Sequence, residues 1–175
     1  MHGLPLMTPS LLLRHFVPDD AQDLMRLNAE PSTRRWLPTH VYANPDDAAA
    51  AVAYLIAQYA SPGDPRRGPY VVGVVRRQDQ QLLGHVGFSP LRDGVEVSYA
   101  IAEQARGQGH GTEVLTRACA CAAAAFGLRD IAALTASANV ASRRTLERSG
   151  FVSTGTETLR FRGVEQSVST YRRTP

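Results

Sequence analysis

Two patterns of apolar residues occur near the start of the chain. Along residues 10–17 apolar and polar side chains alternate, which predicts a strand with one buried face. After Pro18, Leu24 and Leu27 share one face of a predicted helix, with an aspartate of the Asp19-Asp20 pair as its N-cap. The chain therefore combines strands and helices.

Glycine, proline and capping residues mark the ends of the later segments. They predict a short helix that begins at Pro31 and carries Trp36, helices at 44–59, 109–126 and 139–149, and strands at 70–77, 81–91, 94–102, 130–138, 151–161 and 165–173. Residues 61–69 give the strongest loop signal, and 162–163 form the turn of the last hairpin.

This order of elements predicts a single α/β domain over residues 1–175, with a mostly antiparallel sheet covered by helices on both faces. The strands at 94–102 and 130–138 are connected by a helix. A helical crossover joins parallel strands, so these two should run in the same direction.

The segment between strand 94–102 and helix 109–126 carries the clearest chemical signal. Its glycines alternate, at Gly107, Gly109 and Gly111, and the turn leads directly into a helix. Without Cβ atoms, successive backbone N–H groups can converge on an anion, and the helix start adds its own unpaired N–H groups. The segment therefore predicts a phosphate-binding loop, with Arg106 as an additional charged donor.

Three kinds of glycine-rich phosphate loop could account for this segment. A P-loop requires a lysine after its last glycine, and the chain contains no lysine. A dinucleotide fingerprint requires glycine where Thr112 stands, so an oxidoreductase is disfavoured. Arg106-x-x-Gly109-x-Gly111 matches the third kind, the Q/R-x-x-G-x-G/A motif of GNAT-type N-acetyltransferases.

Three further blocks, in the same order and at matching distances, extend this resemblance over almost the whole chain. They are Glu96 to Ile101, similar to the family's "E-L-G-Y-W-I" strand; Asn139-x-x-Ser142 followed by Leu146-Glu147-Arg148-Ser149-Gly150-Phe151; and an opening from Leu11 to Pro38. That opening resembles the subfamily of ribosomal-protein N-terminal acetyltransferases. The resemblance implies a GNAT fold, in which two parallel strands splay apart around acyl-CoA, and transfer of an acetyl group from acetyl-CoA to a primary amine.

The resemblance also implies which residues contact acetyl-CoA. They are Val97, Ser98, Tyr99, Ala100 and Ile101 on the strand, Arg106, Gly107, Gln108, Gly109, His110, Gly111 and Thr112 in the loop, and Asn139 and Ser142. Some have simpler alternatives: Asn139 as a helix cap, His110 as an exposed residue without a role, and the Tyr99 ring as core. Trp36, Tyr42 and loop 61–69 are candidates for shaping the acceptor pocket.

Amide formation requires the amine to lose a proton and the thiolate to gain one. Glu96 is the candidate base, since flanking Val95 and Val97 should raise the pKa of its carboxyl; a solvated or ion-paired carboxylate is the alternative. The resemblance implies Ser142 as the candidate acid, since the matching hydroxyl in the related subfamily can lie near the CoA sulfur. Solvent is the other proton source, and a residue with only local hydrogen bonds is the alternative for Ser142. Many relatives have a tyrosine acid where this chain has Leu146, so a non-catalytic acyl-CoA-binding regulatory module is the alternative function.

Composition narrows the class of protein further. A formal charge of +3 is too small to indicate nucleic-acid binding, and no apolar run is long enough to cross a membrane. The start of the chain does not resemble a signal peptide. Cys119 and Cys121 diverge on a predicted helix and form neither a disulfide nor a metal site by themselves. We therefore expect a metal-free cytoplasmic enzyme, monomeric or homodimeric, whose partner is the amine acceptor.

Overall fold

The computed structural model describes residues 3–60, 63–92, 94–161 and 163–174. Its helices are α1 (Asp20–Ala29), α2 (Pro31–Trp36), α3 (Pro45–Ala60), α4 (His110–Phe126) and α5 (Val140–Arg148). Its strands are β1 (Leu6–Met7), β2 (Leu11–Arg14), β3 (Tyr70–Arg76), β4 (Leu82–Leu91), β5 (Gly94–Ile101), β6 (Ile131–Ala136), β7 (Val152–Phe161) and β8 (Val164–Arg173). Short 3-10 turns follow α2 and β5, at Pro38–His40 and Glu103–Ala105.

The strands form an eight-stranded sheet in the order β1-β2-β3-β4-β5-β6-β8-β7. Every neighbouring pair is antiparallel except β5 and β6, which α4 connects and which run parallel. This confirms the predicted mixed sheet and its parallel pair. The pairing of β5 with β6 is limited to Glu96 opposite Ala132, so these two strands share very little backbone hydrogen bonding.

A hydrophobic core lies on each face of the sheet. On one face α4 packs Val114, Leu115 and Ala118 against alternate residues of the strands. On the other face α1 and α3 pack Leu24 and Val52 against a smaller apolar set. The alternation of side chains along β5 assigns each of its residues to one of these faces, because successive side chains of a strand point in opposite directions.

Most predicted elements agree with the structure, but the strand predicted at 10–17 is shorter, Leu11–Arg14, and the two 3-10 turns were not predicted. Two further differences lie at the start of the chain. The two-residue strand β1 was not predicted. At α1, Asp19 occupies the N-cap position without a side-chain hydrogen bond. Instead, Asp20 is buried, accepts from the Val17 N–H at 2.8 Å and binds both terminal nitrogens of Arg14 at 2.7 and 2.8 Å.

At the end of the chain, Arg162 of the predicted hairpin turn lies outside the described residues, as do residues 61 and 62 of the predicted loop.

Candidate active site

The gap between β5 and β6 forms a groove of about 300 Å³. Glu96 lies at the point where the two strands are still paired, and the groove continues from there between their diverging ends. All six residues from Glu96 to Ile101 line it. Alternate residues of a strand face opposite sides of a sheet, so consecutive residues can line one groove only where the strand edge itself is open.

The backbone of β5 therefore offers hydrogen-bonding groups to the groove. Ala102 donates its N–H to Leu83 on β4, and β5 pairs with β4 without a register shift. In an antiparallel pair the N–H and C=O of one residue point to the same side, and the side alternates along the strand. Val97 and Tyr99 consequently direct their N–H and C=O groups toward β6. The pairing of Glu96 with Ala132 uses the Val97 N–H, so the Val97 C=O and both groups of Tyr99 face the gap, where an extended ligand with amide groups can pair with them.

The glycine-rich loop closes one end of the groove and precedes α4. Gly107 and Gly109 adopt left-handed backbone conformations, with φ of +77° and +82°, and a Cβ built on either would meet no atom within 4 Å. Both line the groove. The loop thus combines positive φ, which favours glycine, with open space beside the backbone at a helix N-terminus, and it fits an approaching phosphate group.

Gly111 is required for a different reason. Its φ is not positive, but a Cβ there would lie 3.0 Å from the methyl carbon of Thr145 and 3.6 Å from the ring of Tyr99. This glycine therefore allows α5 and β5 to pack closely against the start of α4.

Each of the three guanidinium nitrogens of Arg106 contacts another residue of the protein. Its Nε donates to the Ile101 carbonyl at 2.7 Å, Nη1 donates to the Ser32 hydroxyl, and Nη2 lies 3.3 Å from a Glu30 carboxylate oxygen. The Glu30 carboxylate also accepts from the Glu103 N–H at 3.0 Å. Arg106 lines the groove as predicted, but its donors tie the loop to the junction of α1 and α2.

Two loop residues differ in what they present to the groove. The Gln108 side chain does not line the groove, and its amide donates to the Gln104 carbonyl at 3.3 Å. The expected contact of residue 108 with the cofactor, through its backbone amide, stays a prediction. His110 lines the groove, and its Nδ1 lies 3.1 Å from the Ala105 carbonyl oxygen. Thr112, the next loop residue but one, also lines the groove.

The start of α5 forms the opposite wall. The side-chain oxygen of Asn139 caps the helix by accepting the Ser142 N–H at 3.1 Å, as the capping alternative predicts. The Ser142 hydroxyl lies 3.3 Å from the Tyr99 hydroxyl, which approaches it from β5. Burial raises the pKa of Tyr99 and keeps its phenol protonated, although the hydroxyls of Ser142 and Thr145 partly oppose the shift.

Several groove residues were not predicted. Thr145 and Arg148 follow Ser142 at three-residue intervals on α5, so helical spacing would have indicated them. The others are Ser32, Thr33, Leu37, Ala105, the β6 residues 133–136, Ala141 and Phe161. They come from distant parts of the chain and carry no common sequence signal. Leu146, at the position where the resemblance led us to look for a tyrosine acid, is buried and borders the groove.

Of the candidates for the acceptor side, Trp36 lines the groove, whereas Tyr42 packs in the second core beside Asn28. The described part of the predicted loop, 63–69, lies elsewhere. There Arg66 donates to the Phe126 carbonyl at 2.7 Å and to the Gly127 carbonyl at 3.2 Å, at the far end of α4. Residues 63–69 therefore do not border the groove, and the expected place of the loop beside an acceptor pocket stays a prediction.

Among the described residues, no cluster of three or more His, Cys, Asp or Glu side chains could hold a metal ion. No helix in the described ranges has the length and hydrophobicity needed to cross a bilayer.

The chain matches one family model over residues 10–152, that of the acetyltransferase (GNAT) domain. A curated relative, the uncharacterized N-acetyltransferase YoaA of Bacillus subtilis, is 27% identical over 153 residues, which cover 86% of this chain and 84% of the relative.

Solved structures show the same fold at low sequence identity. The ribosomal L7/L12 alpha-N-protein acetyltransferase RimL, in complex with coenzyme A, superposes with a TM-score of 0.81 at 17% identity over 97% of both chains. The microcin C7 self-immunity acetyltransferase MccE, in complex with acetyl-CoA and AMP, gives 0.79 at 14% identity over 96% of this chain and 94% of its own.

Proposed function

Since this chain belongs to the GNAT acetyltransferase family, we propose that it acetylates a primary amine by direct attack of the amine on the thioester. The chain is an acetyl-CoA-dependent acyltransferase, and acetyl-CoA is its co-substrate. The proposal concerns the acceptor and the residues that act on it.

One observation carries the proposal: Glu96 lies at the closed end of the groove, where β5 and β6 are paired, while the glycine-rich loop lies beyond the other end of β5. The open backbone edge of β5 at Val97 and Tyr99 lies between Glu96 and the glycine-rich loop. A ligand held by its phosphates at the loop and by amide groups along β5 would place its reactive end near the Glu96 carboxylate.

The two faces of β5 separate the roles of its residues. Glu96, Ser98 and Ala100 share the face of α1 and α3, whereas Val97 and Tyr99 share the face of α4 and α5. We assign the first face to the acceptor, because Trp36 and Leu37 border the groove there. The amine then reaches the thioester from the side of the carboxylate.

In the proposed reaction the amine nitrogen forms a bond to the acetyl carbon and the carbon–sulfur bond breaks. Glu96, directly or through a water molecule, accepts the proton that the amine loses. The thiolate takes a proton from solvent or from the Ser142 hydroxyl, the candidate donor from the chain. Leu146 offers no proton, so no tyrosine at that position takes part.

The acceptor we propose is either the N-terminal amine of a polypeptide or a small-molecule amine. The opening block from Leu11 to Pro38, which resembles the ribosomal-protein acetyltransferases, favours the first. The fold shared with an alpha-N-protein acetyltransferase agrees with this choice.

A screen of amines tests the proposal. Purified protein is incubated with acetyl-CoA and with N-terminal peptides, polyamines or aminoglycosides, while free thiol is measured and products are identified by mass spectrometry. We expect one thiol released for each acetylated amine. Thiol release that no amine increases above the acceptor-free rate, together with tight binding of acetyl-CoA, would instead support the non-catalytic binding module.

A further inference from the structure

Acetyl-CoA carries negative charge on its diphosphate and on its ribose 3′-phosphate, and both need positive partners. Among the described residues that line the groove, the arginines are Arg106 and Arg148. The motif points to Arg106. The structure shows that the two differ in how far their guanidinium groups are already occupied.

Arg106 already uses three of its five N–H donors. The Ile101 carbonyl, the Ser32 hydroxyl and the Glu30 carboxylate each accept from one of its nitrogens, and the Glu103 carboxylate lies 3.8 Å away. A phosphate would therefore meet a guanidinium that two carboxylates already neutralise. Its charge is therefore largely balanced within the protein.

Arg148 differs in each of these respects. It is exposed at the last position of α5, and within the described ranges its side chain has no hydrogen bond or ion pair. It follows Ser142 and Thr145 in a row with three-residue spacing, and all three line the groove. A Cβ built on Gly111 would lie 3.0 Å from the Thr145 methyl carbon, so Thr145 lies close to the start of α4. Arg148 is one helical turn further along α5 and lines the same groove as the glycine-rich loop.

We infer that Arg148 supplies the countercharge for a phosphate of acetyl-CoA, and that Arg106 instead fixes the loop to the α1–α2 junction. The inference rests on acetyl-CoA as co-substrate. Arginine suits this task because its planar guanidinium can hold a phosphate through two parallel hydrogen bonds. The diphosphate and the 3′-phosphate share this chemistry.

The chain provides a matched control for the test. Arg144 lies on the same helix, is exposed, has no ion pair among the described residues and does not border the groove. The dissociation constant for acetyl-CoA is measured by calorimetry for Arg148→Gln and Arg144→Gln. We expect about 10- to 100-fold weaker binding for the first, the loss of a hydrogen bond to a charged group, and almost no change for the second.

Two further measurements locate the contact. Arg148→Lys should recover part of the affinity, since it restores the charge without the fork. With 3′-dephospho-acetyl-CoA, an Arg148→Gln effect that disappears assigns the contact to the 3′-phosphate, and one that persists assigns it to the diphosphate.

Equal affinity of Arg148→Gln and Arg144→Gln for acetyl-CoA would overturn the inference. It would leave the proposed function intact, because that function is tested by amine acetylation in the unsubstituted protein. Since both arginines are exposed, thermal unfolding of the two variants should match that of the unsubstituted protein and shows that each remains folded.

Discussion

Replacing Gly109 by alanine separates cofactor binding from folding stability, because the same helix carries a control at its other end. Gly109 precedes α4 with φ of +82°, and Gly127 follows it with φ of +61°. A Cβ built on either residue meets no atom within 4 Å. The two positions therefore share the same backbone demand and the same lack of steric conflict, and only Gly109 borders the groove.

The two variants should lose a similar amount of free energy of unfolding. An L-residue in the left-handed region costs about 1–2 kcal/mol relative to glycine. For a protein of this size, that corresponds to a decrease in Tm of about 2–8 °C. Gly109→Ala and Gly127→Ala should both show it.

Only Gly109→Ala should lose affinity for acetyl-CoA. Its methyl group would occupy the open space through which a phosphate reaches the loop N–H groups. Loss of one hydrogen bond to a charged group costs about 1.5–3 kcal/mol, which raises the Kd by about 10- to 150-fold.

Calorimetry with acetyl-CoA gives the affinities, and thermal or urea unfolding of the unliganded proteins gives the stabilities. If Gly109→Ala and Gly127→Ala bind acetyl-CoA equally well, the loop does not hold the phosphates. If Gly127→Ala loses stability and Gly109→Ala does not, the left-handed conformation of Gly109 is wrong.

Three other substitutions test the base, a buried ion pair and a titrating histidine. Glu96→Gln should lower kcat by about 10²–10⁴-fold in steady-state assays, with less effect on an α-amine acceptor than on a side-chain amine, because an α-amine is already partly neutral at pH 7; unchanged rates with both acceptors would remove Glu96 from the mechanism. Asp20→Ala leaves the partly buried Arg14 guanidinium without its carboxylate partner. It should lower the free energy of unfolding, measured in urea, by about 3 kcal/mol, the lower end for buried pairs because Arg14 is 19% exposed; a loss below about 1 kcal/mol, typical of surface ion pairs, would contradict the importance of the buried Asp20. Burial lowers the pKa of His15 below its ordinary 6.5, so the folded state favours the neutral ring, and the contribution of His15 to stability should be constant above pH 6.5 and fall as the pH decreases below it. His15→Gln should lack this part of the pH dependence, and equal pH slopes of stability for the two proteins would refute the role of His15.

The fold was predictable because its signals are local. The ends of α4 at Gly109 and Gly127, and the Asn44 cap whose side chain accepts from the Asp47 N–H at 2.9 Å, depend on a few neighbouring residues. Such turn and capping chemistry can be recognised in a single sequence. The parallel direction of β5 and β6 followed from the connecting helix alone.

The details of the site were less predictable because they depend on contacts between distant segments. The sequence places Arg106 beside the glycines, but it does not show that Glu30 and Ser32 occupy its guanidinium. Likewise, Ser142 was a candidate from its motif, whereas the approach of the Tyr99 hydroxyl depends on how α5 packs on β5. Contacts of this kind become visible only when the chain is folded.

The position of Arg106 has a consequence for engineering this protein toward new acceptors. Glu30 and Ser32 lie at the junction of α1 and α2, on the side of the groove that we propose for the acceptor. Both bind Arg106, which also ties the glycine-rich loop to β5 through the Ile101 carbonyl. A library that diversifies this junction will therefore also change the cofactor loop. Acceptor selections should vary Trp36 and Leu37 first, and should keep Glu30 and Ser32 constant.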